Sequence, residues 1–555
     1  MRGLRRLPNL TTYAISKLAR RVGSATACWR VALVFTGYLP TGPPATVLVL
    51  ASGLCVLRCL AGLLMTSTLP CRRHSSVVAR IGVAREDITP PIGIYARNWG
   101  AASHDVADSI HRPLTLTALF IAPVASALSS CESPMVLIDA DLGWWKTPQV
   151  FRYVQTRLLS TTELAECGLI FALTHTHAGP PLMEADLSLP GSDLIAPWME
   201  HVVAAAERAI AAARRSADDA ILDWHTGRCA LAAYRDLPDP QPPGSRLICG
   251  FNPHGPADDT LVVGRVSQPT GRLVATLVNY ACHPTTLAWD NTAISPDYIG
   301  AMRETLEQTT GAPAIFLQGA SGELAPRQQY VGDSRVADRH GRQLAYAALA
   351  TLCDMEPPGQ ALTYERTVES GAPLAVWSLR EQAGSRELAS RVDTVELPLK
   401  DWPSAEALER DRAMCTERAL EERLRRKRDI RRAVGDGQSY ELPLWAWKVG
   451  DAAIIGCCGE AYSLLQRELR KRFPQQTIVC LNLINGSIGY LPPYELYDQD
   501  VYQVWQTPFD RGSLERVIEA MSQTLSQWFG SSEEFETFSQ TRENRIDMRS
   551  QAESP

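Results

Sequence analysis

Short unbroken apolar runs, each closing on polar residues, recur through the middle of this chain. "MVLIDADLGWW", "CGLIFALTHTH", "RLVATLVNYACH", "APAIFLQGASGE" and "AAIIGCCGE" all have this form. Such runs are too short for helices and too apolar for half-exposed strands, so they read as strands buried on both faces. Several are followed by polar residues and then a helix, as in "GEAYSLLQRELRKR", which is the α/β pattern. The expected fold is therefore α/β, with mixed β-sheets, flanking helices and an active site at the carboxyl ends of strands, where ligands gather in such folds.

Those strand ends carry the chemistry. The first run places Asp139 and Asp141 on one face, and the second is followed by His175 and His177. Alternation along a strand would turn both imidazoles to one side, about 6 to 7 Å apart at the backbone, close enough to share a metal or a substrate. The third run ends at His283, before Pro284 and a loop with Asp290 and Asp297, and the fourth opens a Gly-rich turn containing Glu323. The last places Glu460 at the expected start of a helix, where a carboxylate is ordinarily a partner of the helix dipole. Singly, each could be a packed or hydrogen-bonded strand-end residue. Together, three histidines and several carboxylates are the ligand chemistry of catalytic zinc, in which protein ligands leave a position open for water.

The 555 residues suffice for two or three domains or for one large enzyme domain with appendages, and 45% apolar content supports a full core. A net charge of −6 with both signs interspersed argues against nucleic acid as a partner. The fourteen cysteines are scattered and form no C-x-x-C pair, so they read as mostly buried thiols and not as a disulfide framework or zinc ribbon.

Residues 1–76 read as a poorly structured segment, rich in arginine, whose apolar run 45–65 is broken only by Arg58 and is long enough to span a bilayer. About forty residues precede that run, too many for an ordinary signal peptide. An uncleaved membrane anchor, a late export signal and non-native upstream sequence are the three readings; with the last, the chain reads as cytoplasmic. Folded sequence is expected over 77–530, followed by a disordered polar tail over 531–555. The basic stretch "ERLRRKRDIRRAV" reads as one solvated helix.

Five motifs carry a resemblance. "THTHAGP", "NYACHPTTLAWDNTAISPDYIG", "FLQGASGELAPR", "GEAYSLL" and "NGSIGYLPPYELYDQDVYQV" occur in the order seen in the catalytic N-terminal domain of the neutral/alkaline non-lysosomal ceramidase family, which the chain resembles over residues 77–530. The resemblance implies a ceramidase catalytic-domain-like fold and a hydrolase of sphingolipid metabolism, an amidase that cleaves the N-acyl amide of a lipid or other small molecule. It further implies a Zn²⁺ ion held by His175, His283, Glu460 and Tyr490, with His177 contacting the reacting group, Arg235 in "AAYRDLP" facing the substrate, and Tyr502 as a second active-site tyrosine. Zinc lowers the pKa of a bound water to about 7, which suits attack on an amide carbonyl. His177 could then donate to the developing oxyanion or carry a proton to the leaving amine.

The chain departs from the family in the signature turn, where "GELAP" puts Glu323 in place of Asp and Ala325 in place of serine. Too few residues follow Tyr502 for the family's C-terminal immunoglobulin-like domain, which needs about 100, so that domain is expected to be absent. Both departures point to N-acyl compounds more soluble than ceramide as substrates. Three other readings compete: a zinc hydrolase of another bond such as an ester, a non-catalytic scaffold with a closed metal site, and a cysteine nucleophile at Cys282 beside His283. Adjacent strand residues face opposite ways, which disfavours the last.

Overall fold

The computed structural model describes residues 75–124, 133–241 and 245–530, with the backbone of two three-residue strands at Leu33–Phe35 and Val47–Val49. The rest of segment 1–74, including most of the apolar run 45–65, and the tail 531–555 lie outside the described residues. Among the described residues no helix is long and apolar enough to cross a membrane.

Contacts divide the chain into two units, one of Arg72–Leu362 with Leu379–Pro555, the other of Met1–Cys71 with Thr363–Ser378. In the described part of the second, Tyr364 packs edge-on against Trp377 with ring centroids 5.9 Å apart.

The first unit is built on an eight-stranded sheet. Its strands are β1 (Ser76–Asp87), β2 (Thr115–Ala122), β3 (Met135–Ala140), β4 (Leu169–Leu173), β5 (Asp218–Arg228), β6 (Thr260–Ser267), β7 (Leu273–Tyr280) and β8 (Ala314–Gln318). They lie in the order β8-β7-β6-β5-β1-β2-β3-β4. Only the outermost pairs, β3 with β4 and β7 with β8, are parallel. A four-stranded sheet, β9 (Leu388–Pro398), β10 (Ser439–Val449), β11 (Ala452–Cys457) and β12 (Thr477–Leu481), again ends in a parallel pair, β11 with β12.

The unbroken apolar runs are explained by burial on both faces. In β3, Val136, Ile138 and Ala140 pack under helices α1 (Pro148–Thr162) and α2 (Ile195–Ser216), while Met135 and Leu137 face the second sheet. In β8, Ala314 and Phe316 pack against α3 (Tyr298–Thr310) and α4 (Ser334–Cys353), while Ile315 and Leu317 join the core between the sheets. In β11, Ala452 and Ile454 meet that same core, and Ala453, Ile455 and Cys457 face the layer of α7 (Leu464–Arg472) and α8 (Ser513–Phe529). Period-two alternation is present, but both partners are apolar, so no polar face marks it in the sequence.

The long sheet curls until its two ends meet. Asp139 at the end of β3 accepts a hydrogen bond from the backbone N–H of Phe316 in β8, at 2.9 Å, although the two strands lie near opposite edges of the sheet. Arg303 of α3 fastens the junction, donating to Asp139 at 2.6 Å and to both oxygens of Asp141 at 2.7 Å. The aspartate pair expected among the candidate chemistry is thus an ion-paired latch. Burial pushes the Asp139 carboxyl up to about 6 against the pull of Arg303. Replacing the guanidinium, as in Arg303→Met, leaves two buried carboxylates uncompensated, and chemical denaturation is expected to show a loss of about 3–5 kcal/mol.

The basic stretch is not a solvated helix. It forms α6 (Arg418–Val434), preceded by α5 (Ala405–Met414), and α6 buries Glu422, Asp429 and Val434 while Arg426 lines a pocket. Long arginine stems and neutralising carboxylates at four-residue spacing, such as Glu422 with Arg426 at 2.8 Å, let so charged a helix pack inward.

Candidate metal centre

All the candidate ligands except Tyr490, and His177 with them, follow the carboxyl end of a strand that belongs to a parallel pair. His175 and His177 follow β4, His283 follows β7 and Glu460 follows β11. The local conformations differ from those expected. β4 ends at Leu173, and His175 has a left-handed backbone with φ of 70°, so the two imidazoles converge through a turn and not by strand alternation. That conformation is costly for a residue with a side chain and persists because the His175 N–H is held by the Leu142 carbonyl at 2.9 Å. Glu460 does not start a helix but lies in a two-residue strand, Glu460–Ala461, parallel to Tyr490–Leu491 with Glu460 opposite Tyr490.

The ring nitrogens of His175, His177 and His283 that could hold a metal lie within 4.8 Å of one another. Glu460 Oε2 stands 3.3 Å from His175 Nε2 and 3.0 Å from His283 Nε2, and His177 Nε2 stands 3.4 Å from His175 Nε2. Donors around a tetrahedral ion with bonds of about 2.0–2.2 Å are about 3.3–3.5 Å apart, so the group has the spacing of a coordination shell.

Hydrogen bonds on the far side of the rings distinguish the histidines. His175 Nδ1 meets the Gly143 carbonyl at 3.1 Å and His283 Nδ1 the Ser321 carbonyl at 2.7 Å. A carbonyl draws the ring proton to Nδ1 and leaves the Nε2 lone pair facing the centre, as metal-bound histidines require. His177 lies between Trp99 and Trp144, at 5.1 and 4.9 Å between centroids, and its Nδ1 has no hydrogen-bond partner. Without an acceptor there, the tautomer with its proton on Nε2 is favoured.

Electrostatics agrees with these states. Burial, reinforced by the Arg235 guanidinium, pushes His283 down to about 3 and keeps it neutral. Burial pushes Glu460 up, and positive charge and hydrogen-bond donation from the His175 and His283 side outweigh it and hold the carboxyl well below its ordinary range, a role that a cation between these groups would take over while the rings stay neutral. Neutral imidazole and ionised carboxylate are the forms that bind a cation.

Arg235 and both tyrosines join this group. Arg235 is 4% exposed and donates to the Gly322 carbonyl at 2.8 Å and the Tyr490 hydroxyl at 3.2 Å, with the same Nη2 3.4 Å from His283 Nε2. No carboxylate pairs with it at ion-pair distance among the described residues. Tyr490 stacks beside His283 at 6.4 Å and meets Tyr502 edge-on at 5.6 Å. Burial and Glu460 push the Tyr490 phenol well above its usual value, against the opposing pull of Arg235.

All seven predicted site residues are therefore in one place. Five of them, His175, His177, Glu460, Tyr490 and Tyr502, line a pocket whose other walls include Trp144, Lys146, Arg426, Ile430 and Ser487, while His283 and Arg235 lie behind that lining. Sequence reasoning missed Trp144, Lys146 and Arg426. "GWWK" directly after a strand end was a usable signal for the first two; nothing local marks Arg426.

The other candidates are structural. Glu323 accepts from the Ser463 N–H at 2.9 Å and from its hydroxyl, bracing the chain just after Glu460, and burial pushes its carboxyl up to about 7. Ala325 is buried in a short strand opposite Ala233. Asp297 caps α3 through the Tyr298 N–H. Cys282 packs among Tyr280, Tyr298 and Cys229, and burial holds its thiol well above the ordinary range, which removes it as a nucleophile. All nine described cysteines are free thiols.

Two solved structures share this arrangement of elements. Neutral ceramidase from Pseudomonas aeruginosa is 16% identical, with a TM-score of 0.57 over 80% of this chain and 74% of that one. The fold is that of neutral ceramidase. A second structure, a ceramidase complexed with C2, matches the same shares of each chain at 15% identity and a TM-score of 0.56. No protein-family model and no curated protein matches the chain. In this ceramidase fold the free edge of β4 is sealed by Asn485, whose amide accepts from the Phe171 N–H at 2.7 Å and donates to the Leu169 carbonyl at 2.8 Å. Asn485→Ala leaves those buried groups unpaired in the strand that leads into His175, and chemical denaturation is expected to show unfolding costing about 2–3 kcal/mol less.

Proposed function

We propose that this chain is a ceramidase-like zinc amidohydrolase, cleaving the N-acyl amide bond of a small-molecule or lipid substrate. The observation that carries the proposal is the convergence of two carbonyl-clamped imidazoles on an ionised glutamate at the wall of an open pocket. Two nitrogens and a carboxylate oxygen suit zinc better than magnesium or calcium, which prefer all-oxygen shells. A closed structural site would lie under packed side chains, so the pocket favours an enzyme over a scaffold.

His175, His283, Glu460 and Tyr490 would hold the ion, which supplies Lewis acidity for attack by water on an acyl carbon. Hydrolysis joins the water oxygen to that carbon, breaks the C–N bond and delivers a proton to the departing amine. His177 is suited to the proton's path, because its Nε2–H points at the centre and its ring is held by two indoles. Arg235 brings an uncompensated buried cation against Tyr490, where it offsets negative charge developing on the phenol or on the acyl oxygen. Tyr502 borders the pocket with its hydroxyl held by Arg426 at 2.9 Å, so it limits how a carbonyl can enter. The apolar walls, chiefly Trp144, Ile430 and the two tyrosines, can take an acyl chain, at about 0.8 kcal/mol per buried methylene. N-acyl compounds more soluble than ceramide are the preferred class in this reading.

Metal analysis and turnover on a panel of N-acyl amides and matching esters test these roles. His175→Ala and His283→Ala are expected to abolish both zinc retention and amide cleavage. His177→Ala is expected to keep its zinc but lose about two orders of magnitude in turnover. Equal zinc loss in all three variants would make His177 a ligand, and a fully zinc-loaded protein that cleaves no amide or ester would return the chain to the scaffold reading.

A further inference from the structure

The pocket wall holds a cation that no carboxylate of the described residues contacts. Lys146 follows the Trp144–Trp145 pair, and its backbone N–H is fixed to the Leu182 carbonyl at 2.9 Å. Its ammonium lies 3.9 Å from the centroid of the Trp144 ring, and the same indole packs against His177 at 4.9 Å and His175 at 5.6 Å. One ring thus separates the lysine from the candidate metal centre. Arg426 approaches the same indole at 5.2 Å, so two cations converge on one side chain.

The nearby carboxylates are engaged elsewhere. Glu422 accepts from Arg426 at 2.8 Å, and Asp429 Oδ1 accepts from Arg428 Nη2 at 2.6 Å. Among the described residues Lys146 makes no hydrogen bond or contact ion pair through its ammonium; Glu422 and Asp429 act on it only through space, and the Trp144 ring is its one direct partner. Burial pushes its pKa down to about 7, so the charge is held at a cost that an entering anion would relieve. An ammonium left half-buried in the wall of a substrate pocket is matched by a carboxylate on the substrate.

Resting on the amidohydrolase reading above, we propose that the preferred substrate is an N-acyl amide that carries a carboxylate, bound by Lys146 with Arg426 beside it. Two chemical sources fit. An N-acyl amino acid carries the carboxylate on the amine side, and a monoamide of a dicarboxylic acid carries it on the acyl side. The uncharged headgroup of a ceramide leaves Lys146 without a partner, so the pocket wall opposes it.

The test compares isosteric pairs on the zinc-loaded full chain: N-octanoylglycine against N-octanoylglycinamide, and N-hexylsuccinamate against N-hexylsuccinamide. In at least one pair the acid is expected to exceed its neutral partner about tenfold in kcat/KM, mainly through KM, and the favoured pair identifies the side of the amide. Lys146→Met should reduce that ratio to near one, and Lys146→Arg should restore most of it. A wild-type ratio of one or less in both pairs overturns the proposal, as does a ratio that Lys146→Met leaves intact. If no amide is cleaved, the amidohydrolase reading fails separately, and calorimetric binding of the same pairs decides the carboxylate question. About tenfold weaker binding of an acid to Lys146→Met sustains it, and unchanged binding of both acids overturns it.

Discussion

The ion pair of Arg303 with Asp139 and Asp141 is the constraint on which the site depends. His175 lies beyond β4 and His283 beyond β7, near opposite edges of an eight-stranded sheet, and a flat sheet would hold them tens of ångströms apart at about 4.8 Å per strand. Right-handed twist supplies the tendency to curl, but not a fixed closure. The closure comes from Asp139 reaching the Phe316 N–H across the gap and from the guanidinium that neutralises both aspartates. A buried pair of this kind is weak as a source of stability but strong as a specifier, because any other register would bury an unpaired charge.

Burial on both faces does the complementary work. The concave side of the curled sheet packs on the second sheet through residues such as Leu137, Ile315, Trp447 and Ile454. That contact brings the carboxyl end of β11, with Glu460 beyond it, alongside the ends of β4 and β7. The three metal candidates thus come from three parallel pairs in two sheets. Parallel neighbours end on the same side, so the loops after them share one mouth, and the antiparallel strands between them need carry no chemistry.

The charges around the centre fall into two groups with different partners. Toward the inside, neutral His283, ionised Glu460 and uncompensated Arg235 surround a point suited to a cation and a polarised oxygen. Toward the outside, Arg426 and Lys146 flank Trp144, with Glu422 of α6 in contact with the arginine but not with the lysine. The indole keeps the two groups apart while joining them physically. The inner and outer charges are therefore separable parts of one site.

The sequence alone was sufficient for the elements and for the residues beyond their ends. Double-sided strands appear as unbroken apolar runs, strand-end histidines and carboxylates are rare enough to be noticed, and ordered motifs such as "THTHAGP" and "NGSIGYLPPYELYDQDVYQV" pointed to the ceramidase fold before any geometry. Local physics is encoded locally. The tertiary structure decided what local patterns cannot carry. His175 converges with His177 by a left-handed turn instead of strand alternation, because a carbonyl of a neighbouring segment holds its backbone. The strand-end aspartates proved to be a latch, because their partner is 164 and 162 residues away on a helix. Most of all, the basic helix α6 became a wall of the pocket. A charge run looks the same whether its partners are waters or buried carboxylates, and only the fold determines which of them surround it.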